Sequence, residues 1–177
     1  PVRAVAALER PGGFCHYALM DARAFIKEIT SRRDYADQIV HVRAIQPREA
    51  RYAEPSTEMP QVLWSLLRRQ NIHKLYTHQA KAIDALAAGK DVCIVTATAS
   101  GKTLCYNLPV VARVLSEPRA RALYVYPTKA LAQDQLGVLQ RWASQEELIE
   151  TLRPGVYDGD TPSHTRSRIR NKANVVL

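Results

Sequence analysis

A compact apolar run, Val92-Cys93-Ile94-Val95, leads directly into Thr96-Ala97-Thr98-Ala99-Ser100-Gly101-Lys102-Thr103, and helix-forming sequence follows from Leu104 to Leu115. Strand, small-residue loop and helix in that order restrict the chain to α/β folds in which a strand end faces a helix N-terminus. Such a loop bares its backbone N–H groups, and the helix end adds partial positive charge, so phosphate oxyanions are suited to it. In the pattern G-x-x-x-x-G-K-[ST] the lysine reaches the β- and γ-phosphates and the hydroxyl residue faces Mg²⁺. That assigns Lys102 and Thr103 the catalytic positions and Thr103 the metal. Thr96 stands where the pattern has its first glycine, and a small-residue turn after a buried strand remains the alternative.

The rest of the chain alternates in the same way. Asp21 to Ile29 predicts a short helix with Ala22, Phe25, Ile26 and Ile29 on one face, and Gln38 to Ile45 predicts a strand from its β-branched content. Pro47, Pro55 and Pro60 mark Gln46 to Pro60 as an extended connector. Pro60 then opens a helix with a Val62, Leu63, Leu66, Leu67 stripe that Asn71 ends; Thr77 caps a second helix, His78 to Ala88, that stops at Gly89. Pro109 predicts a kink in the helix after the loop. Further strands are expected at Arg121–Tyr126, Val156–Tyr157 and Asn174–Leu177. Helices are expected after Thr128, after a Ser144–Glu147 capping box and after Thr161-Pro162. This alternation predicts a parallel sheet with helices on both faces, and the three polar loops after its strands share one edge. Residues 1–60 read as an N-terminal extension and connector, and residues 61–177 as the nucleotide domain.

The chain has 25 Lys plus Arg against 17 Asp plus Glu among its 177 residues, a net charge of +8 that favours a polyanionic partner. Three cysteines with no C-x-x-C and five histidines without ligand spacing exclude a disulfide framework and give no zinc signature. They point to a reducing compartment. Without a membrane-length apolar stretch or a secretion h-region, the cytoplasm is the expected location. Cys93 and Cys105 are expected to be small buried hydrophobes.

Four segments together resemble the superfamily 2 DEAD/DEAH-box helicases. Leu75-Tyr76-Thr77-His78-Gln79 is similar to the Q motif, whose glutamine amide pairs with the adenine edge. TATASGKT is similar to the helicase form of motif I, in which Ala or Thr replaces the first glycine. YPTKALAQDQ, residues 126–135, is similar to motif Ia, and Asp158-Gly159-Asp160-Thr161 lies where the family has a glycine turn. More narrowly, the segments and the connector IVHVRAIQPREARYAEP resemble the MrfA-type DNA-repair branch. The resemblance implies a RecA-like domain that binds ATP and Mg²⁺. It implies nucleotide contacts from Tyr76, Gln79 and residues Thr96 through Thr103. It also implies nucleic-acid contacts from Pro127, Thr128, Lys129, Gln133, Gly159 and Asp160, with single-stranded DNA more than RNA as partner.

The family hydrolyses ATP with an Asp-Glu motif, and no Asp-Glu dipeptide occurs in these 177 residues. Both ends read as cut, so the chain is expected to be the first part of a motor domain that stops before the Walker B strand. A module that holds nucleotide or nucleic acid without turnover is the alternative. Arg166, Arg168, Arg170 and Lys172 form the densest basic run, either lining a nucleic-acid channel or facing solvent.

Overall fold

The computed structural model describes residues 3–5, 19–43 and 49–177. It divides into two compact units, residues 1–49 and 50–177. In the first unit, β1 (Arg3–Val5) pairs antiparallel with β2 (Leu19–Asp21), a hairpin pairing that the sequence did not signal. Asp21 then caps α1 (Ala22–Thr30), its carboxylate accepting the Arg23 N–H at 3.1 Å. The helix forms where expected, but none of its residues is buried. The strand expected over 38–45 does not form across the described residues 38–43, and its last two positions lie outside them. Val40 and Val42 are exposed there, because β-branched residues make a strand only where a neighbour offers a ladder.

In the second unit, α2 (Gln61–Arg69) buries Leu63, Leu66 and Leu67, three side chains whose removal from water contributes about 1.5–3 kcal/mol each. Asn71 terminates it in the left-handed conformation (φ 59°). The Asn71 N–H donates to Arg68 O and the Ile72 N–H to Leu67 O, so the orphan carbonyls of the last turn are satisfied. The next helix, α3 (Thr77–Ala87), ends the same way at Gly89, whose φ is 72°. Its N-cap is Tyr76, one residue earlier than the sequence predicts. Asp84 of α3 accepts the Ser56 and Thr57 N–H groups at 3.0 and 2.8 Å, and these bonds hold its carboxyl below the usual range. The connector is thereby strapped to α3.

Helix α4 (Lys102–Ser116) runs through Pro109 without interruption and buries Cys105, Leu108, Val111 and Val114. The strands β3 (Ala122–Leu123), β4 (Pro154–Gly155) and β5 (Val175–Val176) form a parallel sheet with β5 in the middle. Helices α5 (Lys129–Ala143) and α6 (Ser163–Lys172) connect them, and Leu139, Trp142 and Ile169 turn into the core. The Thr128 hydroxyl caps α5 as predicted, accepting the Leu131 N–H at 3.3 Å. No helix among the described residues is long and apolar enough to cross a membrane.

Two expectations are corrected here. Ser144–Glu147 forms turns rather than a capped helix, because Glu147 pairs with Arg69 at 2.9 Å and Gln145 bonds the same guanidinium at 2.8 Å. The Val92–Val95 run carries no ladder among the described residues; Val95 is 89% exposed, and Cys93 is exposed rather than buried. Leu123 and Val125 are also exposed. Bare apolar strand edges invite pairing with other chains. Leu123→Lys is therefore expected to raise the monomer fraction in size-exclusion chromatography, and an unchanged elution profile would show that this edge does not drive association.

Candidate functional site

The phosphate loop is held by its own atoms. Gly101 is the N-cap of α4 at φ 77°, and Ala99 is also left-handed at φ 59°. An L-residue in that region costs about 1–2 kcal/mol, so Ala99 stays there only because neighbouring bonds hold the loop. Lys102 Nζ donates to Thr96 O at 2.8 Å and Ala97 O at 2.7 Å, and the Thr96 and Ser100 hydroxyls bond at 2.7 Å. The lysine is folded onto the carbonyls of the loop that carries it. Ala97 and Thr98 are exposed, and Thr103 is half-buried in the first turn of α4.

Two side chains from α3 brace this loop. Gln79 is 2% exposed; its Oε1 accepts the Tyr76 N–H at 2.8 Å and its Nε2 donates to Gly101 O at 2.9 Å. A Cβ at Gly101 would lie 2.6 Å from that Nε2, so a side chain there has to displace the Gln79 amide as well as adopt a positive φ. Each end of the amide keeps one further bonding capacity, an N–H and a lone pair. His78 donates from Nε2 to Ser100 O at 3.0 Å, a brace that no sequence spacing signalled.

Tyr52 was also missed. Its ring stacks on Tyr76 at 5.3 Å and 12°, and Tyr76 stacks on His78 at 5.7 Å and 10°. An antiparallel bridge between Tyr52 and Tyr76 sets this register, supported by Ala53 N–H to Leu75 O and Thr77 N–H to Arg51 O. The signal in the sequence was only an aromatic residue 79 − 52 = 27 positions before Gln79. Tyr52, Tyr76, Gln79, Ala99, Gly101 and Leu104 line one cleft of about 420 Å³. It places a flat aromatic face and an amide beside the phosphate loop, a combination suited to a purine nucleotide.

The second cluster joins the N-terminus of α5 to the glycine turn. Lys129 bonds Asp160 as an exposed ion pair, which raises the lysine pKa above its ordinary value. Gln133 lies one turn along α5, and it lines a 740 Å³ groove with Lys129, Asp158 and Asp160. Pro127 and Thr128 sit at the same edge of the sheet, exposed. Arg166 is not a solvated residue: its guanidinium donates to Asp158 O and Gly159 O, both at 3.0 Å, and lies over the Tyr157 ring at 5.5 Å. It fixes the turn from below, while Arg168 and Arg170 are exposed.

Asp158 is held below its ordinary value, first by the Thr161 hydroxyl and then by the Asp160 N–H. A depressed carboxyl contributes turn stability above its unfolded pKa and loses it as pH falls through the folded one. Thr161→Val is therefore expected to move the Asp158 carboxyl midpoint upward, toward 3.8, in a carbon-detected titration. An unmoved midpoint would remove the Thr161 hydroxyl as the cause.

Comparison with known proteins matches the segment that carries the Gly101–Thr103 loop and the glycine turn. The family model for DEAD/DEAH box helicases matches residues 76–177, from the start of α3 to the last strand. The chain is 36% identical over 152 residues to the uncharacterized ATP-dependent helicase YprA of Bacillus subtilis, covering 86% of this chain and 20% of that protein. It is likewise 36% identical over 152 residues to the ATP-dependent helicase HRQ1 of Saccharomyces cerevisiae, covering 86% of this chain and 14% of that protein. Among solved structures, the DUF1998 helicase MrfA bound to DNA superposes with a TM-score of 0.73 at 34% identity, covering 89% of this chain and 22% of that one. MrfA bound to DNA and AMPPNP superposes at 0.69 with 39% identity, covering 75% and 18%. The chain thus spans about a fifth or less of the length of these relatives. With a phosphate loop braced by a glutamine and a glycine turn tied to the neighbouring helix, both inside the matched segment, the chain belongs to the DEAD/DEAH box helicase family.

Proposed function

We propose that residues 76–177 bind ATP with Mg²⁺ and grip a single strand of DNA, as part of an ATP-driven DNA translocase that acts in repair in the cytoplasm. The observation that carries this reading is the double brace from α3, in which Gln79 and His78 bond the backbone of the loop presenting Lys102. Bound ATP supplies a phosphoanhydride whose cleavage drives motion. Lys102 is the residue to leave its loop carbonyls for the triphosphate, Thr103 the one to face Mg²⁺, and the Gln79 amide the one to read the purine. Pro127, Thr128 and Lys129 at the start of α5, with Gln133 and the Gly159–Asp160 turn, are the proposed strand contacts, through helix-end N–H groups and charge. The relatives named ATP-dependent helicases and the DNA-bound MrfA structures support this assignment.

A second reading has its own observation. The 177 residues contain no Asp-Glu pair to hold Mg²⁺ from the other side, so taken alone they bind nucleotide without turning it over. Titration of the folded chain with a fluorescent ATP analogue and Mg²⁺ tests the binding that both readings share. Saturable binding that Lys102→Ala weakens by about tenfold or more is expected, since a charge-assisted contact contributes about 1.5–3 kcal/mol. No saturable binding by a cooperatively melting sample would refute both. Phosphate release from the same sample, lost in Lys102→Ala, would refute only the second.

A further inference from the structure

The opposite edge of the sheet carries a second basic site. Arg119 and Arg121 precede β3, Arg153 precedes β4, and Lys172 precedes β5, so the parallel topology gathers four cations at the N-terminal strand ends. They line one cleft of about 560 Å³ in which no carboxylate takes part. Among the described residues none of the four forms an ion pair. The neighbouring Glu117 is paired with Arg113 on α4 instead. Four like charges without a counter-charge repel one another, and a bound polyanion reverses that cost.

Part of the cluster has a structural task. Arg121 donates to Arg170 O at 2.8 Å, and Arg153 donates from Nε to Lys172 O at 2.8 Å, so both guanidiniums satisfy the last carbonyls of α6. Arg153 also reaches Glu150 O at 2.9 Å. These bonds pin the two planar groups while leaving most of their N–H donors unused. Helix capping does not account for Arg119 or Lys172, which are exposed and whose side chains make no hydrogen bond among the described residues. Fixed guanidiniums beside free cations make a preorganised surface for phosphate groups.

We infer that this cleft, which adjoins the 740 Å³ groove through Arg153 and Lys172, is a second nucleic-acid backbone site with Arg119 and Arg121 as its own cations. The choice of nucleic acid over another polyanion rests on the function proposed above. The site itself rests on the cluster. A strand or duplex arm seated there touches the domain at both ends of its strands, which lengthens the footprint and steepens its salt dependence.

The test is fluorescence anisotropy of a labelled DNA oligonucleotide with the 177-residue chain across a salt series. Each lost phosphate contact makes the slope of log K against log salt shallower by about 1, so Arg119→Ala with Lys172→Ala is expected to remove about 2, and Arg119→Ala alone, at a residue that lines this cleft and not the 740 Å³ groove, about 1. Between about 50 and 200 mM salt the double variant then loses roughly tenfold less affinity than the unsubstituted chain. Arg119→Lys with Lys172→Arg restores the slope if charge is what matters, and equal melting temperatures exclude a folding defect. A slope unchanged in the double variant but reduced in Lys129→Ala overturns this inference and spares the first site. A chain that binds no DNA overturns both. A labelled acidic peptide whose binding the double variant abolishes, with the DNA slope unchanged, assigns the cleft to protein and also overturns it.

Discussion

Gly101→Ala is expected to weaken ATP binding by roughly thirtyfold or more while residues 50–177 stay folded. The methyl group meets two obstacles that add. Its backbone φ of 77° costs an L-residue about 1–2 kcal/mol, and its Cβ falls 2.6 Å from Gln79 Nε2. The amide must then leave Gly101 O, and Lys102 and Thr103, the next two residues, move with the loop. A combined cost of about 2 kcal/mol or more corresponds to roughly thirtyfold in affinity. Gly89→Ala is the matched control, with φ 72° and open space around the new Cβ. It carries the strain alone at the end of α3 and is expected to lower stability by about 1 kcal/mol with nucleotide affinity unchanged. Titration of both variants with a fluorescent ATP analogue, beside far-ultraviolet circular dichroism, separates the two effects. A Gly101→Ala variant that binds within threefold of the unsubstituted chain would show that the loop does not depend on the glutamine brace.

Gln79→Leu is the second large effect, and it acts on stability as well as on recognition. The amide is buried, and its removal leaves the Tyr76 N–H and Gly101 C=O without partners. Each unsatisfied group costs about 1–3 kcal/mol, so a loss of about 2–4 kcal/mol and a melting temperature lower by about 10 °C are expected. The leucine also lacks the donor and acceptor proposed above to read the purine, so preference for ATP over GTP analogues is expected to disappear. Gln79→Glu separates these roles. It keeps an acceptor for the Tyr76 N–H but sets a carboxylate against Gly101 O, so binding suffers more than the first turn of α3. Thermal melts together with paired ATP and GTP titrations read both. A preserved ATP-to-GTP ratio in Gln79→Leu would leave the glutamine as a brace only.

The helix ends were legible because their causes are local. Asn71 and Gly89 end α2 and α3 in left-handed conformations, which Asn tolerates and Gly adopts freely for want of a Cβ, and the Thr128 hydroxyl caps the helix it precedes. The loop before α4 was legible for the same reason, as a contiguous run of small residues ending in Gly-Lys-Thr. Ser144–Glu147 had the letters of a capping box, but Arg69, 147 − 69 = 78 positions away, claims the glutamate. A charge-assisted contact brought by tertiary packing outcompetes a local cap. The strands at 38–43 and 92–95 failed differently, since β-branched content says nothing about whether a neighbour supplies hydrogen bonds.

What the amino-acid order determined by itself is the family, most of the helices and the loop that Lys102 closes, because each depends on residues adjacent in the chain. What only the tertiary structure decided is who stands around that loop. Tyr52 reaches the cleft because its backbone bridges Tyr76, His78 and Gln79 brace the loop from a different helix, and Arg166 bonds the carbonyls of the glycine turn. Hydrogen bonds and ring stacks at these separations depend on how elements pack, and no spacing rule within one element encodes them.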